Sequence, residues 1–178
     1  MIYIIRHGQT DWNAEGKNQG HTDIEINETG KKQALEIKEK LSGINFDYVF
    51  SSPLKRAYET ASIITSHEII KDNRLIERCN GIFEGKTKSE IDKIIKKEKI
   101  DINNPKEDRF GIESIYNIEK RIKSFFDEIN DKYKGKNILI VSHKGVIINI
   151  RYLLEGNPEN NDISKYFLEN CDILKYKN

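Results

Sequence analysis

Cysteine, proline, charge imbalance and long apolar runs are all scarce in this chain, and each scarcity removes a class of protein. Two cysteines, Cys79 and Cys171, among 178 residues cannot build a disulfide framework and offer no Cys-x-x-Cys pair for zinc, which fits a reducing compartment. Three prolines and eleven glycines lie scattered without a Ser/Gly linker or an internal repeat. No domain boundary is marked, and a single domain over residues 1–178 is expected. Thirty Lys and Arg against 29 Asp and Glu leave a net charge of +1, which gives no basic excess for nucleic acid or an anionic membrane surface. No apolar run approaches the roughly 20 residues of a membrane span, and the apolar start meets Arg6 too soon for a signal peptide. A soluble, cytoplasmic protein with no nucleic-acid and no membrane partner is expected. The chain is polar, with 37% hydrophobic and 33% charged residues, but it has enough apolar residues outside low-complexity tracts to bury a core.

What is present is periodic. Four short apolar runs, residues 2–5, 47–51, 137–142 and 172–176, read as buried strands. Helical periods lie between them. Asn27 caps a predicted helix carrying Ala34, Leu35, Ile37 and Leu41. Ser52-Pro53 supplies an N-cap and a first-turn proline for a helix to about Ser66. Ile91, Ile94 and Ile95 mark a Lys-rich amphipathic helix, whose lysines read as a solvated face. Ile115, Ile118, Ile122, Phe125, Phe126 and Ile129 mark a longer one, and a last helix covers residues 146–154. Strand-like runs alternating with helices predict an α/β fold: a three-layer sandwich with a mostly parallel central sheet and helices on both faces. In such sheets ligands gather at the carboxyl ends of strands. Three predicted strands run straight into polar residues there: Arg6-His7-Gly8, Ser51-Ser52-Pro53 and Ser142-His143-Lys144.

If the first and third of these strands are neighbours, His7 and His143 face one another. Arg6 adjoins the first histidine, and Arg56 is placed to point at the same mouth. Paired arginines and helix N-termini suit a phosphate, because the donor fork and the dipole both favour an anion. A neutral imidazole is a competent nucleophile toward phosphorus, and nearby arginine charge keeps it neutral. The residues therefore suggest phosphoryl transfer through a phosphohistidine, with no metal and no cofactor. The four histidines form no His-Glu-x-x-His motif and no carboxylate cluster, and no P-loop or Gly-x-Gly-x-x-Gly exists. Cys79 is no tyrosine-phosphatase nucleophile, since the C-x5-R pattern would put arginine where Gly85 stands. His67 reads as solvent-exposed. His21 is read as exposed too, with contact to a ligand as the alternative.

The motifs also arrive in a familiar order. Arg6-His7-Gly8-Gln9-Thr10 with Trp12-Asn13, Gln19-Gly20-His21-Thr22-Asp23, and Asn27-Glu28-Thr29-Gly30 come first. Ser51-Ser52-Pro53-Leu54-Lys55-Arg56-Ala57 with Thr60-Ala61 follows. Then come Leu75-Ile76-Glu77-Arg78 with Gly81, Phe83, Glu84 and Gly85; Gly111, Glu113-Ser114 and Arg121; and Val141-Ser142-His143. Together, over residues 2 to about 150, they resemble the histidine phosphatase superfamily, also called phosphoglycerate-mutase-like, in its small phosphatase branch.

The resemblance implies that His7 takes the phosphoryl group and that Glu77 protonates the leaving alkoxide and then activates water. Arg6, Arg56, Asn13 and His143 would hold the phosphoryl oxygens. Gln19 and Gly20 would belong to the substrate loop, and Gly8 would leave room for the phosphate. Arg78 and Lys144 would touch substrate or carry surface charge. Lys144 stands where the family has a small residue, Ile112 where a second glycine is common, and Asn80 where mutases carry tyrosine. Glu84 is a rival acid, with Glu77 favoured by motif position. A small-molecule phosphomonoester is the expected partner, and a homodimer is left open. The alternative activity is a cofactor-dependent phosphoglycerate mutase. It is disfavoured because the chain lacks the mutases' insertion after the acid loop and has Arg109 alone where they carry an arginine pair. A non-catalytic phosphate-binding relative would have lost His7, His143 or Glu77, and all three stand.

Overall fold

The computed structural model of the chain describes residues 1–102 and 104–177. Strands β1 (Ile2–Arg6), β2 (Tyr48–Ser51), β3 (Ile69–Lys71), β4 (Ile138–Ser142) and β5 (Ile173–Tyr176) form one sheet in the order β3-β2-β4-β1-β5. All neighbours pair in parallel except β5, which runs antiparallel to β1 along an edge. The described helices are α1 (Asp11–Ala14), α2 (Glu28–Lys40), α3 (Lys55–Ile64), α4 (Lys88–Glu98), α5 (Ile115–Lys132) and α6 (Lys144–Glu155).

Alternation along β1 sends Ile2 and Ile4 to one face and Tyr3 and Ile5 to the other. Helices α5 and α6 cover the first face with Ile118, Ile122, Phe125, Ile147 and Ile150. Helices α2 and α3 cover the second with Ala34, Ile37, Ala57 and Ala61. With both faces covered, β1 and β4 are buried along their whole length, which is why they read as unbroken apolar runs. The sandwich is the one the sequence predicts. A satellite cluster of Phe83, Ile100 and Ile112, with Ile91, Ile94 and Ile95 of α4 packed on it, lies apart from the sheet. Ile112, at an expected glycine position, is buried there.

Three local expectations are corrected. Strand β3 was not anticipated; three residues long and mostly exposed, it is too short to show a period. Helix α3 does not open at Ser52-Pro53. The Ser52 N–H still bonds the Val141 carbonyl across the sheet at 3.0 Å, so the strand geometry persists and the N-cap falls on Leu54, whose apolar side chain can accept no hydrogen bond. Asp23 Oδ1, from a distant loop, accepts from the Lys55 N–H instead. The helix also ends at Ile64, not Ser66. Leu35, within the apolar stripe of α2, is 51% exposed.

The register places the chemistry. Arg6 pairs with Ser142 in the parallel β1–β4 ladder, so His7 and His143 leave adjacent strands at the same height. Helix α2 closes tightly over that end of β1. A Cβ on Gly8 would sit 2.7 Å from the Gly30 carbonyl oxygen, so Gly8 makes room for the first turn of α2.

Candidate active site

The two imidazole centroids lie 5.1 Å apart, and His7 lines a cavity of about 150 Å³ together with Arg6, Asn13, Arg56 and Glu77 among others. His7 is 2% exposed. Its Nδ1 lies 2.8 Å from the Gly8 carbonyl, and a carbonyl can only accept, so the proton sits on Nδ1. Nε2 is left with its lone pair and no hydrogen-bond partner among the described residues. Burial first, then the charges of Arg56 and Arg6, push the His7 pKa well below the ordinary value, so the ring is neutral and nucleophilic at neutral pH.

His143 has the opposite tautomer. The Arg56 Nε–H donates to His143 Nδ1 at 3.2 Å, so its proton lies on Nε2, which donates to Ser52 Oγ at 2.7 Å. Burial, Arg56 and His7 hold this ring, too, well below its ordinary value. His143 thus stands behind the cavity with both ring nitrogens engaged, and its visible work is to orient Arg56.

Arg56 is fully buried. Its terminal nitrogens donate to the Thr22 and Gly20 carbonyls at 2.9 and 2.7 Å, leaving one N–H on each for a ligand. Arg6, also buried, donates to the Leu168 carbonyl at 2.6 Å, and its Nε is a buried donor with no partner. Burial lowers both guanidinium pKa values, opposed chiefly by Glu169 for Arg6 and Glu77 for Arg56, and both remain cations. Asn13 Oδ1 takes the Thr10 N–H, the Thr10 hydroxyl and the Asn170 amide, which fixes the side chain and leaves Nδ2 free to donate. Three donor groups therefore meet around one imidazole lone pair.

Glu77 also lines the cavity. Its carboxylate accepts from the Arg78 N–H at 2.8 Å and from the Gly145 N–H, in the first turn of α6, at 3.2 Å. Its carbonyl accepts from His21 Nε2 at 2.7 Å and from Arg121 at 3.3 Å. Arg121 in turn forms a two-pronged pair with Glu113 at 2.8 and 3.0 Å, and the Glu113 backbone bonds the Cys79 carbonyl. The motif around Glu113 and Arg121 is thus a brace beneath the acid loop. Glu84 is not aimed at the cavity. Burial favours its neutral form, but the Thr22 hydroxyl and the N–H groups of His21, Asn80 and Thr22 outweigh it and hold its carboxyl below the usual range.

Among the described residues, no three His, Cys, Asp or Glu side chains gather in a way that could hold a metal ion, and no helix is long and apolar enough to cross a membrane. A larger groove of about 560 Å³ between α5 and α6, lined by Tyr116, Glu119, Asn149 and Leu153 among others, contains neither histidine nor arginine.

The family model for the histidine phosphatase superfamily (branch 1) matches residues 2–177. The chain belongs to the histidine phosphatase superfamily. This histidine phosphatase is 39% identical over 158 residues to phosphoglycerate mutase-like protein 4 of Arabidopsis thaliana, covering 82% of the chain and 67% of that relative. It is 32% identical over 183 residues to phosphoserine phosphatase 1 of Hydrogenobacter thermophilus, covering 98% and 83%. Its fold superposes with a TM-score of 0.81 on a histidine-to-alanine mutant of Entamoeba histolytica phosphoserine phosphatase solved with phosphoserine, at 34% identity over 97% of this chain and 87% of that one.

Of the residues singled out in sequence, Arg6, His7, Asn13, Gln19, Gly20, Arg56, Glu77 and Lys144 line the phosphatase cavity. Arg78 does not; its Nε donates to the Glu113 carbonyl at 2.8 Å. His21 is half-buried and bonded to Glu77, not exposed. Asn80, noted in sequence where mutases carry tyrosine, also lines the cavity. Sequence reasoning missed Lys17 and Asn18 in the lining, and Asn170, which also donates to the His7 carbonyl at 2.8 Å. Lys17 and Asn18 adjoin a recognised motif, a signal that could have found them. Asn170 is brought in only by the return of β5 beside β1, which no local pattern announces.

Proposed function

We propose that this histidine phosphatase, acting as a single domain, hydrolyses a small phosphomonoester through a phosphohistidine on His7, without a metal ion. One observation carries the reading: the free Nε2 lone pair of His7 lies at the cavity floor between two buried arginines with donors to spare. An unpaired buried donor such as Arg6 Nε costs about 1–3 kcal/mol, and a bound phosphoryl oxygen recovers that cost. In the first step the His7 nitrogen attacks phosphorus and the bond to the leaving oxygen breaks. Arg6, Arg56 and the Asn13 amide bear the charge of the three equatorial oxygens, and Glu77 gives its proton to the departing alkoxide. In the second, Glu77 takes a proton from water, the oxygen attacks phosphorus, the phosphorus–nitrogen bond breaks, and inorganic phosphate leaves. Each group returns to its starting state.

The phosphoserine phosphatases among its relatives support a small phosphomonoester as substrate. Arg109, which a mutase would need at a second anion, is committed to Glu107 at 2.7 Å. A cytoplasmic setting fits the two free thiols. The test is phosphate release in excess chelator over a panel of small phosphomonoesters, wild type beside His7→Ala. Release by the wild type alone is expected. Release by both proteins, or by neither, refutes the reading.

A further inference from the structure

Nucleophilic use of His7 Nε2 depends on the ring proton staying on Nδ1, and that proton is accepted by the Gly8 carbonyl at 2.8 Å. The carbonyl belongs to the Gly8–Gln9 peptide. Gly8 has no side chain to restrict how this peptide is turned, so its orientation is set from outside. At its other edge the Gln9 N–H donates to Gln33 Oε1, on α2, at 2.9 Å. A backbone N–H can only donate, so the amide oxygen of Gln33, not its nitrogen, faces it. One planar peptide thus joins the half-buried Gln33 side chain to the imidazole ring.

Helix α2 holds Gln9 at two further points. The N–H of Asn27, its N-cap, donates to the Gln9 carbonyl at 2.8 Å. Gly30 approaches so closely that an added Cβ would lie 2.8 Å from the Gln9 nitrogen, and Gln33 follows Gly30 one turn later on the same helix face. The preceding peptide, His7–Gly8, is held separately: its N–H donates to Thr60 Oγ1 at 2.9 Å and its carbonyl accepts from Asn170 at 2.8 Å. Those two contacts place the backbone of the nucleophile. The Gln33 contact differs in lying in series with the ring. Hydrogen bonds in series polarise one another, so an acceptor at the Gln9 N–H makes the Gly8 carbonyl a stronger acceptor for the Nδ1 proton.

We propose that Gln33 is a positioning residue for phosphoryl transfer. Through the Gly8–Gln9 peptide it fixes the orientation and tautomer of His7, and it supports the positive charge that the ring acquires when Nε2 gives its lone pair to phosphorus while Nδ1 keeps its proton. The second role rests on the phosphohistidine reading; the first is measurable in the resting protein. Gln33→Met keeps the length of the side chain and removes the acceptor, whereas Gln33→Glu keeps an acceptor and strengthens it. With isotope-labelled histidine, the Nδ1 proton resonance of His7 is assigned by its absence from His7→Ala. It should move upfield in Gln33→Met and downfield in Gln33→Glu, because a stronger hydrogen bond deshields its proton. Nitrophenyl phosphate is the substrate, since its leaving group needs little help from Glu77, and each variant is assayed below its melting transition. Removing the partner that orients a working histidine typically costs tenfold or more, so kcat/KM should fall about tenfold in Gln33→Met and stay within about threefold of the wild type in Gln33→Glu. Equal losses in the two variants would make the effect one of packing alone and overturn the proposal. An unmoved resonance in Gln33→Glu, which keeps the hydrogen bond that Gln9 needs to fold, would overturn it as well. Resonances ordered as expected in a protein that releases no phosphate refute the phosphatase reading and leave the link from Gln33 to His7 standing; release unaltered by Gln33→Met does the reverse.

Discussion

Gly145→Ala separates catalysis from stability at a single atom. Gly145 lies in the first turn of α6, where alanine is favoured over glycine by up to about 1 kcal/mol. An added Cβ would stand 2.6 Å from Glu77 Oε1 and 3.4 Å from its carboxyl carbon. Ordinary carbon contacts need about 3.5 Å, so the carboxylate must retreat by about 1 Å, and being the free end of a side chain it can do so cheaply. The fold should keep its melting temperature or gain about 2 °C. Turnover should not survive as well, because a displacement of about 1 Å at a catalytic group costs on the order of a hundredfold. The loss should appear where the leaving oxygen needs a proton. Alkyl phosphates should fall by about a hundredfold and nitrophenyl phosphate by less than about threefold, because general acid catalysis acts on the poor leaving group. The assay is kcat/KM for both substrate classes beside a thermal melt. Equal losses on the two classes, or no loss on alkyl phosphates, would refute the placement of Glu77 as acid.

Glu77→Gln should reproduce that pattern more strongly, by about 10²–10⁴-fold on alkyl phosphates, in the same comparison of leaving groups. Glu84→Gln should behave differently. It sets an amide N–H against the donors of His21, Thr22 and Asn80, should cost about 1–3 kcal/mol by urea unfolding, and should leave the dependence on leaving group as in the wild type. The two buried histidines predict an acid-sensitive fold. Their folded-state pKa values are lowered, so below about pH 6.5 the unfolded chain binds protons that the folded one refuses. The stability they contribute is full above that pH and should fall between about pH 6.5 and 5 by about 1.4 kcal/mol per pH unit for each histidine. His143→Gln should flatten the slope by about one proton, and urea midpoints against pH would show it; an unchanged slope would contradict the buried neutral state.

The central strands and the two histidines were legible because a strand buried on both faces writes itself as an apolar run, and the first polar residue beyond it marks its carboxyl end. The arginines and Glu77 became legible through motif order. What stayed hidden depends on residues far apart in sequence. Ser52 reads as a helix cap until β4 is seen beside it, when its N–H proves to belong to the sheet and its oxygen to His143. Gly8 and Gly30 explain each other only once α2 lies across β1. The brace of Glu113, Arg121 and His21 under the acid loop joins three segments through backbone carbonyls, which carry no sequence signature. Lys144 looked equally suited to solvent; the Phe167 ring, brought up by the segment before β5 with its centroid 3.7 Å from the ammonium group, decides where its charge stands.

The phosphoryl group on His7 is the central claim, and trapping it is the most direct test. Glu77→Gln should be mixed with nitrophenyl phosphate in excess chelator, quenched in alkali to preserve a phosphorus–nitrogen bond, and digested for mass spectrometry. The account predicts one phosphoryl mass on the peptide carrying His7, lost on acid treatment and absent from the His7→Ala variant. A label on another residue would contradict it, as would turnover of nitrophenyl phosphate with no label at all.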